Sequence, residues 1–537
     1  MLASDSLPIT VFLQYNKTFL ECLQPIGLLS HHPICYNGKK QEKRSRKETL
    51  VLAIDWAPNP KDSIPLYQQI SEYMKNKIAN GEWPINSKLP PQRTLARIFG
   101  VNRSTLTIAL DELLADGLLE SKLGSGTWVA NNTWSLLVST PPINWTSYLD
   151  RGIHLPNLHT IQEINHLEFN PKLIRLGTGE LSPELFPKAM MDSILRKLPN
   201  RIHSLGYEEP RGLPFLREQI SIYLSSLSIK ASTSSIMIVS GALQALQLIC
   251  SSLLPKDSTI LLERPSYLFS LKLFQSMNMN LRGIPIDEEG MEIEPISFHK
   301  KHKNVNLLYT IPCFQNPTGI TMTEGRRKSM IAVCQEEQLP IIEDDVYREL
   351  WLDTPPPAPL KALEKEGLVL YLGSLSKSLS PGLRIGWIVG PEPVIERLAD
   401  IKMQNDYGSS SLSQWTAAEW LASGLYQTHL MEVRAQLRIR REAACNALET
   451  HFSDIATWQI PQGGFYIWLI LKQAISMQKL FKEALNNGLL IHPGNIYDTL
   501  SNHHLRISYS YASLPDMENG LFCLSMLIRS FKRKNEL

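Results

Sequence analysis

A lysine between two serines stands at the centre of the chemistry that this sequence offers. Lys377 lies between Ser376 and Ser378, Ser374 precedes them, and Arg384 comes seven residues after Lys377. A lysine that forms an imine needs a deprotonated amine near neutral pH, and both burial and a nearby cation lower the pKa of an ammonium group. Hydroxyl donors and an arginine fork can bind a phosphate on the same ligand. The segment therefore predicts pyridoxal phosphate on Lys377, with Ser374, Ser376 and Arg384 on its phosphate.

Polar residues that follow other apolar runs could hold the ring of this cofactor. Asp344 lies at the end of such a run, two residues after Ile342, and a buried aspartate keeps a pyridine nitrogen protonated, as an electron-accepting ring requires. Tyr347 and Asn316 could bond the ring hydroxyl, and Tyr267 could stack on the ring. We predict that these four residues surround the ring.

Two further features could bind anionic groups. Residues 240–246 pass from a strand to a helix, and the N-terminal amides of that helix, at Gly241, Ala242 and Leu243, could bind the phosphate. Arg506 could clamp a carboxylate with two parallel hydrogen bonds. These residues extend the predicted site from the cofactor phosphate to a bound substrate or effector.

Each of these residues also has a purely structural interpretation. Asp344 could cap a helix, Asn316 could shape a turn, and Arg506 could belong to a structural ion pair. Taken together, in this order and separated by strands, they favour one shared site.

An α/β domain must position these residues. From about Arg175 onward apolar runs alternate with helical stretches, and near-continuous apolar strands indicate a sheet that is covered on both faces. The runs are residues 236–239, 259–262, 305–309, 340–342, 368–372 and 385–389. From about Ala399 long helices alternate with short strands, which predicts a small C-terminal subdomain.

The order of these residues resembles that of the fold-type-I, aspartate-aminotransferase-like pyridoxal-phosphate enzymes. The resemblance runs from about Arg175 to the end of the chain and includes residues 177–180, Gly206-Tyr207 and residues 461–465. It implies that Tyr207 reaches the phosphate of the partner subunit, and hence that the protein is a homodimer. Relatives often carry hydroxyl or amide side chains where Ala242 and Leu243 stand, so we expect a looser grip on the phosphate there.

The N-terminal part of the chain has the pattern of a winged helix-turn-helix. Apolar residues at helical spacing predict a helix over residues 66–78, a short helix follows residues 89–91, and Asn102 can cap a third helix that begins at Arg103. Residues 118–129 then read as a two-stranded wing. Residues 84–109 contain four basic residues and no acid, which favours DNA binding over a small helical domain with a solvated basic face.

These residues resemble the GntR-type winged helix. Leu89-Pro90, residues 100–105 and residues 124–127 carry the match. The resemblance implies DNA contacts by Arg93, Arg103, Ser104, Thr105 and Gly124. Thr107 stands where several members carry another arginine, so we expect one contact fewer.

The domain boundaries follow from these patterns. We predict a disordered or spurious N-terminal extension over residues 1–53, the winged helix over 62–130, a linker over 131–165 and the aminotransferase-like domain over 170–535. The charged run at residues 39–48 could instead be a basic arm for DNA, although a disordered tail is the favoured interpretation.

Bulk composition excludes several classes of protein. The chain has 537 residues, a net charge of +2 and no apolar run of membrane-spanning length. Its seven cysteines are dispersed and include no C-x-x-C pair, which argues against disulfides and zinc and for reduced thiols in a cytoplasm. We therefore expect a cytoplasmic, multidomain protein without a metal site.

A GntR-type winged helix joined to an aminotransferase-like domain resembles the MocR-type bacterial regulators. This resemblance implies a regulator that binds operator DNA with two half-sites and senses an amine or amino acid through an aldimine at Lys377. Two alternatives stay open. Pyridoxal phosphate could itself be the signal, or the protein could be a working aminotransferase that carries a DNA-binding domain.

Overall fold

The computed structural model describes residues 54–79, 82–122, 126–130 and 156–535. The chain divides into two compact units between Asp150 and Arg151. The predicted extension over residues 1–53, most of the predicted linker and Gly124 lie outside the described residues.

The first unit is a winged helix-turn-helix, as predicted. Its elements are α1 (Leu66–Ala79), α2 (Gln92–Ile98), α3 (Arg103–Ala115), β1 (Leu119–Lys122) and β2 (Gly126–Val129). The strands form an antiparallel pair in which Leu119 lies opposite Val129. The side chain of Asn102 accepts a hydrogen bond from the Thr105 amide at 2.8 Å, so Asn102 caps α3.

The core of this unit lies between α1 and α3. Ile70 and Met74 of α1 and Leu106 and Leu110 of α3 are buried together. Their spacing of four residues puts each pair on one face of its helix. This packing leaves the opposite face of α3 exposed to solvent.

The second unit is an α/β domain with a small antiparallel subdomain. Its helices are α4 (His159–Leu167), α5 (Lys188–Lys197), α6 (Pro214–Ser226), α7 (Ala242–Leu253), α8 (Leu273–Ser276), α9 (Glu294–His302), α10 (Glu324–Glu336), α11 (Leu360–Leu363), α12 (Glu392–Asn405), α13 (Ser411–Ala422), α14 (Leu425–Phe452), α15 (Met477–Asn486) and α16 (Leu514–Asn535). Its strands are β3 (Ile174–Arg175), β4 (Ile236–Val239), β5 (Thr259–Arg264), β6 (Asn280–Asp287), β7 (Gly290–Met291), β8 (Val305–Thr310), β9 (Ile341–Asp344), β10 (Val369–Ser374), β11 (Gly386–Val389), β12 (Ala456–Thr457), β13 (Tyr466–Leu471), β14 (Leu489–Leu490), β15 (His492–Pro493) and β16 (His504–Ser508).

The large sheet has eight strands in the order β4-β11-β10-β9-β8-β5-β6-β7. Strands β10, β9, β8, β5 and β6 pair in parallel. Strand β11 runs antiparallel to both β10 and β4, so β4 has the same direction as β10. The carboxyl ends of β4, β5, β8, β9 and β10 therefore meet at one edge of the sheet, where ligands of such folds bind.

Both faces of this sheet are covered, which explains the near-continuous apolar strands. In β4, Met237 and Val239 pack into one core cluster, and Ile236 and Ile238 pack into another. Successive side chains of a strand point to opposite faces. A strand that is buried on both faces must therefore be apolar at every position.

The small sheet of the C-terminal subdomain has the order β12-β13-β16-β15. It is antiparallel, and its register places Arg506 of β16 opposite Trp468 of β13 and His492 of β15. This register brings His492 beside Arg506, although the two residues are separated by a loop in the sequence.

One prediction about the linker is wrong in its described part. The sequence predicts a linker over residues 131–165, but helix α4 begins at His159 and buries Ile161 and Ile164 in the main core of the second unit. The helix has only nine residues and no side-chain N-cap, so its sequence signal is weak. Burial of two isoleucines stabilises it in place of local signals.

Candidate functional site

A cavity of about 400 Å³ lies at the carboxyl edge of the large sheet. It collects side chains that follow five different strands. The predicted residues that line it are Gly241, Ala242, Leu243, Tyr267, Asn316, Asp344, Tyr347, Ser374, Ser376, Lys377, Arg384 and Arg506. The geometry therefore supports one shared site rather than separate structural roles for these residues.

Lys377 lies in the turn after β10. Its Nζ donates a hydrogen bond to the carbonyl oxygen of Gly179 at 2.6 Å and lies 6.0 Å from the centre of the Tyr347 ring. The amine is thus held inside the cavity by the main chain, and no carboxylate pairs with it among the described residues. An amine in this setting is free to react with a carbonyl group of a ligand.

Asp344 ends β9 and has one oxygen without a partner. Its Oδ2 accepts a hydrogen bond from the Tyr309 hydroxyl at 2.7 Å, whereas the buried Oδ1 has no hydrogen-bond partner. Burial raises the pKa of this carboxyl to about 6. An unsatisfied buried carboxylate oxygen is costly, so a protonated ring nitrogen that donated to Oδ1 would stabilise this residue.

Asn316 connects Tyr347 to Arg506 within the cavity. Its Nδ2 donates to the Tyr347 hydroxyl at 3.2 Å, and its Oδ1 accepts from Arg506 Nη1 at 2.8 Å. The Tyr347 hydroxyl also lies 3.2 Å from the Tyr466 hydroxyl. Burial holds the pKa of Tyr347 well above its ordinary value, so this hydroxyl stays protonated at neutral pH.

The opposite end of the cavity offers donors for an anion. Helix α7 begins at Ala242, and no side chain caps its N-terminus. Gly241 has φ +93°, which favours glycine, and a Cβ at this position would lie 2.7 Å from Arg384 Nη2 and would shift the guanidinium. Ser374 Oγ lies 3.0 Å from Ser376 Oγ. Helix amides, hydroxyls and a guanidinium together suit a phosphate.

The two predicted tyrosines differ in their placement. Tyr267 lines the cavity, its amide donates to the Asn316 carbonyl oxygen at 3.0 Å, and burial raises its pKa to about 12. Tyr207 lies outside the lining of this cavity, is 83% exposed, and contacts the ring of Tyr407 at 5.3 Å between centroids. An exposed Tyr207 is compatible with the predicted contact across a dimer.

Arg506 is buried at the far end of the cavity. Its Nη2 donates to the Gly177 carbonyl oxygen at 2.6 Å and lies 3.0 Å from His492 Nδ1, and its guanidinium lies over the rings of Tyr466 and Tyr497 at 4.1 and 4.8 Å. Its buried Nε has no partner. No carboxylate lies within ion-pair distance of Arg506 among the described residues, so this cation is available for a ligand carboxylate.

The lining residues that were not predicted from the sequence include Glu168, His492, Tyr466 and Tyr497. Glu168 falls just beyond the predicted linker, and the others lie in short elements of the small subdomain whose register no sequence pattern reveals. The sequence of β13 is apolar at every position, so it could not tell which face meets the cavity.

The winged helix presents a basic face. Arg93, Arg103 and Ser104 are exposed, and neither arginine forms an ion pair within the described residues. The Ser104 hydroxyl donates to Asn102 Oδ1 at 2.9 Å, and the Thr107 hydroxyl donates to the Arg103 carbonyl oxygen at 2.9 Å. The two arginines are thus free for DNA, whereas both hydroxyls are engaged within α3.

Two family models match the chain. The model of the bacterial regulatory proteins of the gntR family matches residues 66–129, and that of aminotransferase class I and II matches residues 171–523. The first range coincides with the winged helix, and the second covers the α/β domain from β3 to within α16.

Full-length relatives share both parts. The uncharacterized HTH-type transcriptional regulator YdfD of Bacillus subtilis is 54% identical over 466 residues, which are 87% of this chain and 97% of that protein. The HTH-type transcriptional regulator NorG of Staphylococcus aureus is 34% identical over 438 residues, which are 81% of this chain and 98% of that protein.

Solved structures of aminotransferases resemble the second unit. The kynurenine aminotransferase of Pyrococcus horikoshii has a TM-score of 0.66 at 32% identity, and the match covers 70% of this chain and 95% of the aminotransferase chain. The multiple substrate aminotransferase of Thermococcus profundus has a TM-score of 0.69 at 27% identity and covers 73% of this chain and 100% of its own.

Proposed function

The chain belongs to the family of HTH-type transcriptional regulators in which a GntR-type DNA-binding domain precedes an aminotransferase class I and II domain. From this premise we propose that it binds pyridoxal phosphate and that binding of an amine or amino acid changes its binding to DNA. The observation that carries the proposal is the assembly of Lys377, Asp344, Asn316 and Arg506 around one cavity in a chain whose other domain is a winged helix.

The residues present fit pyridoxal phosphate. The unpartnered Asp344 Oδ1 can accept a hydrogen bond from a protonated ring nitrogen. Asn316 and Tyr347 can bond the ring hydroxyl, Tyr267 can stack on the ring, and Lys377 offers its amine. When bound, the cofactor supplies an aldehyde carbon that reacts with amines and a ring that accepts electrons.

The phosphate would lie at the N-terminus of α7. Main-chain amides at Gly241, Ala242 and Leu243 would receive it, because the last two lack polar side chains. The hydroxyls of Ser374 and Ser376 and the guanidinium of Arg384 would then supply the remaining hydrogen bonds.

Arg506 would bind the carboxylate of an amino-acid effector. Its unpartnered Nε and its lack of an ion-pair partner among the described residues support this role. Asn316 and the Gly177 carbonyl oxygen fix the guanidinium plane in advance, which lowers the entropic cost of binding. The effector amine would then compete with Lys377 for the cofactor.

The DNA-binding part of the proposal rests on α2 and α3. Arg93 and Arg103 would contact the phosphates or bases, Thr105 and Ser104 would lie at the N-terminus of α3 near the backbone, and Gly124 would let the wing approach a phosphate. A homodimer, with Tyr207 on the phosphate of the partner subunit, would present two winged helices to an operator with two half-sites.

The cofactor as the sole signal is a variant of this proposal. In that case pyridoxal phosphate alone would change operator binding. Amines would add nothing to the change.

A working aminotransferase is the second candidate. The same residues favour it, because Lys377, once its amine is free, could take a proton from the α-carbon of a bound substrate and return it to the aldehyde-derived carbon of the cofactor. Sustained turnover with a keto-acid acceptor would support this function, whereas amine binding without turnover would support a sensor.

One experiment tests the proposal. The full-length protein is titrated with pyridoxal phosphate and then with a panel of amines and amino acids, while the absorbance of the cofactor and footprinting of operator DNA are followed together. We expect Lys377→Ala to abolish the lysine-dependent absorbance, and Lys365→Ala, which changes an exposed lysine, to leave it intact. An intact absorbance in Lys377→Ala, or the absence of any protected operator, contradicts the proposal.

A further inference from the structure

An acidic residue lies next to the arginine at the far end of the cavity. Glu168 and Arg506 both line the cavity, and His492 lies between them. His492 Nε2 is 3.8 Å from Glu168 Oε1, and His492 Nδ1 is 3.0 Å from Arg506 Nη2. This end of the cavity therefore combines one cation and one carboxylate.

The position of Glu168 is locally unfavourable. It forms the C-cap of α4, where the partial negative charge of the helix end disfavours an acid. Burial raises the pKa of its carboxyl. Its hydrogen bond is the one from the Thr178 hydroxyl at 3.2 Å. Local helix stability gives no reason for an acid here, and departures from local rules are frequent at functional sites.

His492, between these two residues, has a buried donor without a partner. The Tyr497 hydroxyl and Arg506 Nη2 each lie 3.0 Å from His492 Nδ1. Arg506 can only donate, so Nδ1 accepts and Nε2 carries the proton. This Nε2 is buried without a partner, in a side chain that is only 8% exposed. It faces Glu168 at 3.8 Å, beyond hydrogen-bond distance, so Glu168 does not satisfy this donor.

Gly177 leaves the space that the His492 ring occupies. A Cβ on Gly177 would lie 2.2 Å from the His492 ring, so any other residue at position 177 would displace the imidazole. The Gly177 carbonyl oxygen also accepts a hydrogen bond from Arg506. Gly177 thus fixes the positions of both His492 and Arg506 next to Glu168.

The charges of the cavity select among effectors. With the cofactor bound, its phosphate pairs with Arg384 and its ring nitrogen with Asp344. With Lys377 engaged by the cofactor, Glu168 and the exposed Glu180 then face Arg506 among the charged side chains that line the cavity. An effector with one carboxylate and one reacting amine adds negative charge beside Glu168, whereas a second ammonium group would balance it.

We infer that the effector is a carboxylic acid with two amino groups: its carboxylate binds Arg506 and His492 Nε2, one amine reaches Lys377, and the second ammonium group binds Glu168. This inference rests on the proposed function, because it assigns the effector class of the same site. The alternative hypothesis is that Glu168 only balances the charge of Arg506 and binds no effector group.

Matched pairs of amino acids separate the two. Norleucine is lysine with a methyl group in place of the terminal ammonium, and norvaline stands in the same relation to ornithine. Affinities of the cofactor-loaded, full-length protein are measured by titration calorimetry. We expect the basic member of at least one pair to bind about tenfold more tightly or better, as for a hydrogen bond between charged groups.

Glu168→Gln should remove this preference and leave the affinity for the neutral member unchanged or higher. Glu163→Gln is the matched control, since Glu163 lies on α4, pairs with His159 and does not line the cavity. Glu168→Asp keeps the charge, and we expect it to retain part of the preference, so an unstable Glu168→Gln variant does not end the test.

The outcomes differ for the two levels of the proposal. If neutral and basic members bind equally, or if Glu168→Gln tightens both members equally, the effector class is wrong and the sensor function stands. If no amine or amino acid binds the loaded protein, the proposed function fails and the effector class with it.

Discussion

At the residue scale, the hydrogen-bond partners of the buried carboxyl groups indicate which oxygen a ligand could bind. Asp344, Glu263 and Glu343 are buried, and burial raises their pKa values to about 6, about 7 and about 7. Glu343 accepts hydrogen bonds from the amides of Leu360 and Lys361 through both oxygens. Asp344 Oδ1 and Glu263 Oε2 are both left without a donor, but only Asp344 lines the cavity. The cost of the Asp344 oxygen is what a bound ring nitrogen would offset.

Asp344→Asn tests this reading through the pH dependence of the cofactor-free protein. The pKa of Asp344 is raised from 3.8 to about 6, so the folded state holds a proton that the unfolded state releases between these pH values. Stability therefore falls as pH rises from about 4 to about 6, by roughly 3 kcal/mol at most. We expect Asp344→Asn to raise Tm at pH 8 relative to wild type and to have little effect near pH 4.

Two further results complete this test. Asp192→Asn changes an exposed acid and should leave both values of Tm unchanged. The same Asp344→Asn variant should bind pyridoxal phosphate more weakly. A variant that gains no stability at pH 8 would show that Asp344 is satisfied without the cofactor.

At the scale of elements, α3 separates its two faces clearly. Leu106 and Leu110 are buried against α1, whereas Arg103 and Ser104 are exposed at the helix N-terminus. Thr107 turns its hydroxyl back to the main chain. Arg103 is therefore the strongest candidate for electrostatic contact on this helix.

Arg103→Ala should weaken operator binding and its salt dependence together. If the guanidinium contacts one phosphate, the slope of log affinity against log salt concentration should fall in magnitude by about 1. Filter binding or fluorescence anisotropy at several salt concentrations measures this. Arg196→Ala, an exposed arginine of the second unit, serves as the control. A loss of affinity confined to one base position at unchanged slope would instead indicate a base contact.

Helix α4 is the element best placed to carry a signal out of the cavity. It buries Ile161 and Ile164 in the core, lines the cavity with both, and follows the residues that join the two units. A ligand that contacts α4 can thus act on the chain that leads to the winged helix. Coupling of this kind requires a different affinity for two arrangements of α4.

Ile164→Ala should uncouple effector binding from DNA binding. Truncation of a buried isoleucine costs about 2–5 kcal/mol and loosens the seat of α4. We expect the loaded variant to bind both effector and operator, but to show a smaller effector-induced change in the footprint. Ile222→Ala, at an exposed position of α6, should respond as wild type does. An unchanged response in Ile164→Ala would remove α4 from the signal path.

At the scale of the whole molecule, the proposal requires two chains. Tyr207 is exposed and outside the cavity of its own chain, so a role on the phosphate needs a second subunit.

None of the helices in the described ranges is long and apolar enough to cross a membrane, and no cluster of metal-ligating side chains occurs there.

Mixing two defective variants tests whether Tyr207 acts on the cofactor site of the other subunit. Tyr207→Ala and Lys377→Ala should each bind the cofactor poorly. In a mixed dimer, the intact Lys377 of one chain would meet the intact Tyr207 of the partner subunit, so one site in each mixed dimer should recover. Absorbance of the cofactor after co-refolding or co-expression measures the recovery. If Tyr207 acted within its own chain, mixing would restore nothing.

The sequence alone determined much of this protein. The three helices and the wing of the first unit, the six predicted strands of the large sheet and most candidate residues of the cavity follow from local patterns. The reason is physical: parallel strands collect their carboxyl ends at one edge, so residues that follow separate strands, such as Asp344, Asn316 and Lys377, must meet there.

Only the tertiary structure decided the far end of the cavity. The register of β15 against β16 sets His492 beside Arg506, and the packing of α4 brings Glu168 to them. Neither residue has a local signal, because a strand of two residues has no measurable period and α4 is held by burial rather than by caps. The order of the strands places the residues of the proposed cofactor site, whereas the proposed effector class depends on contacts between residues far apart in the chain.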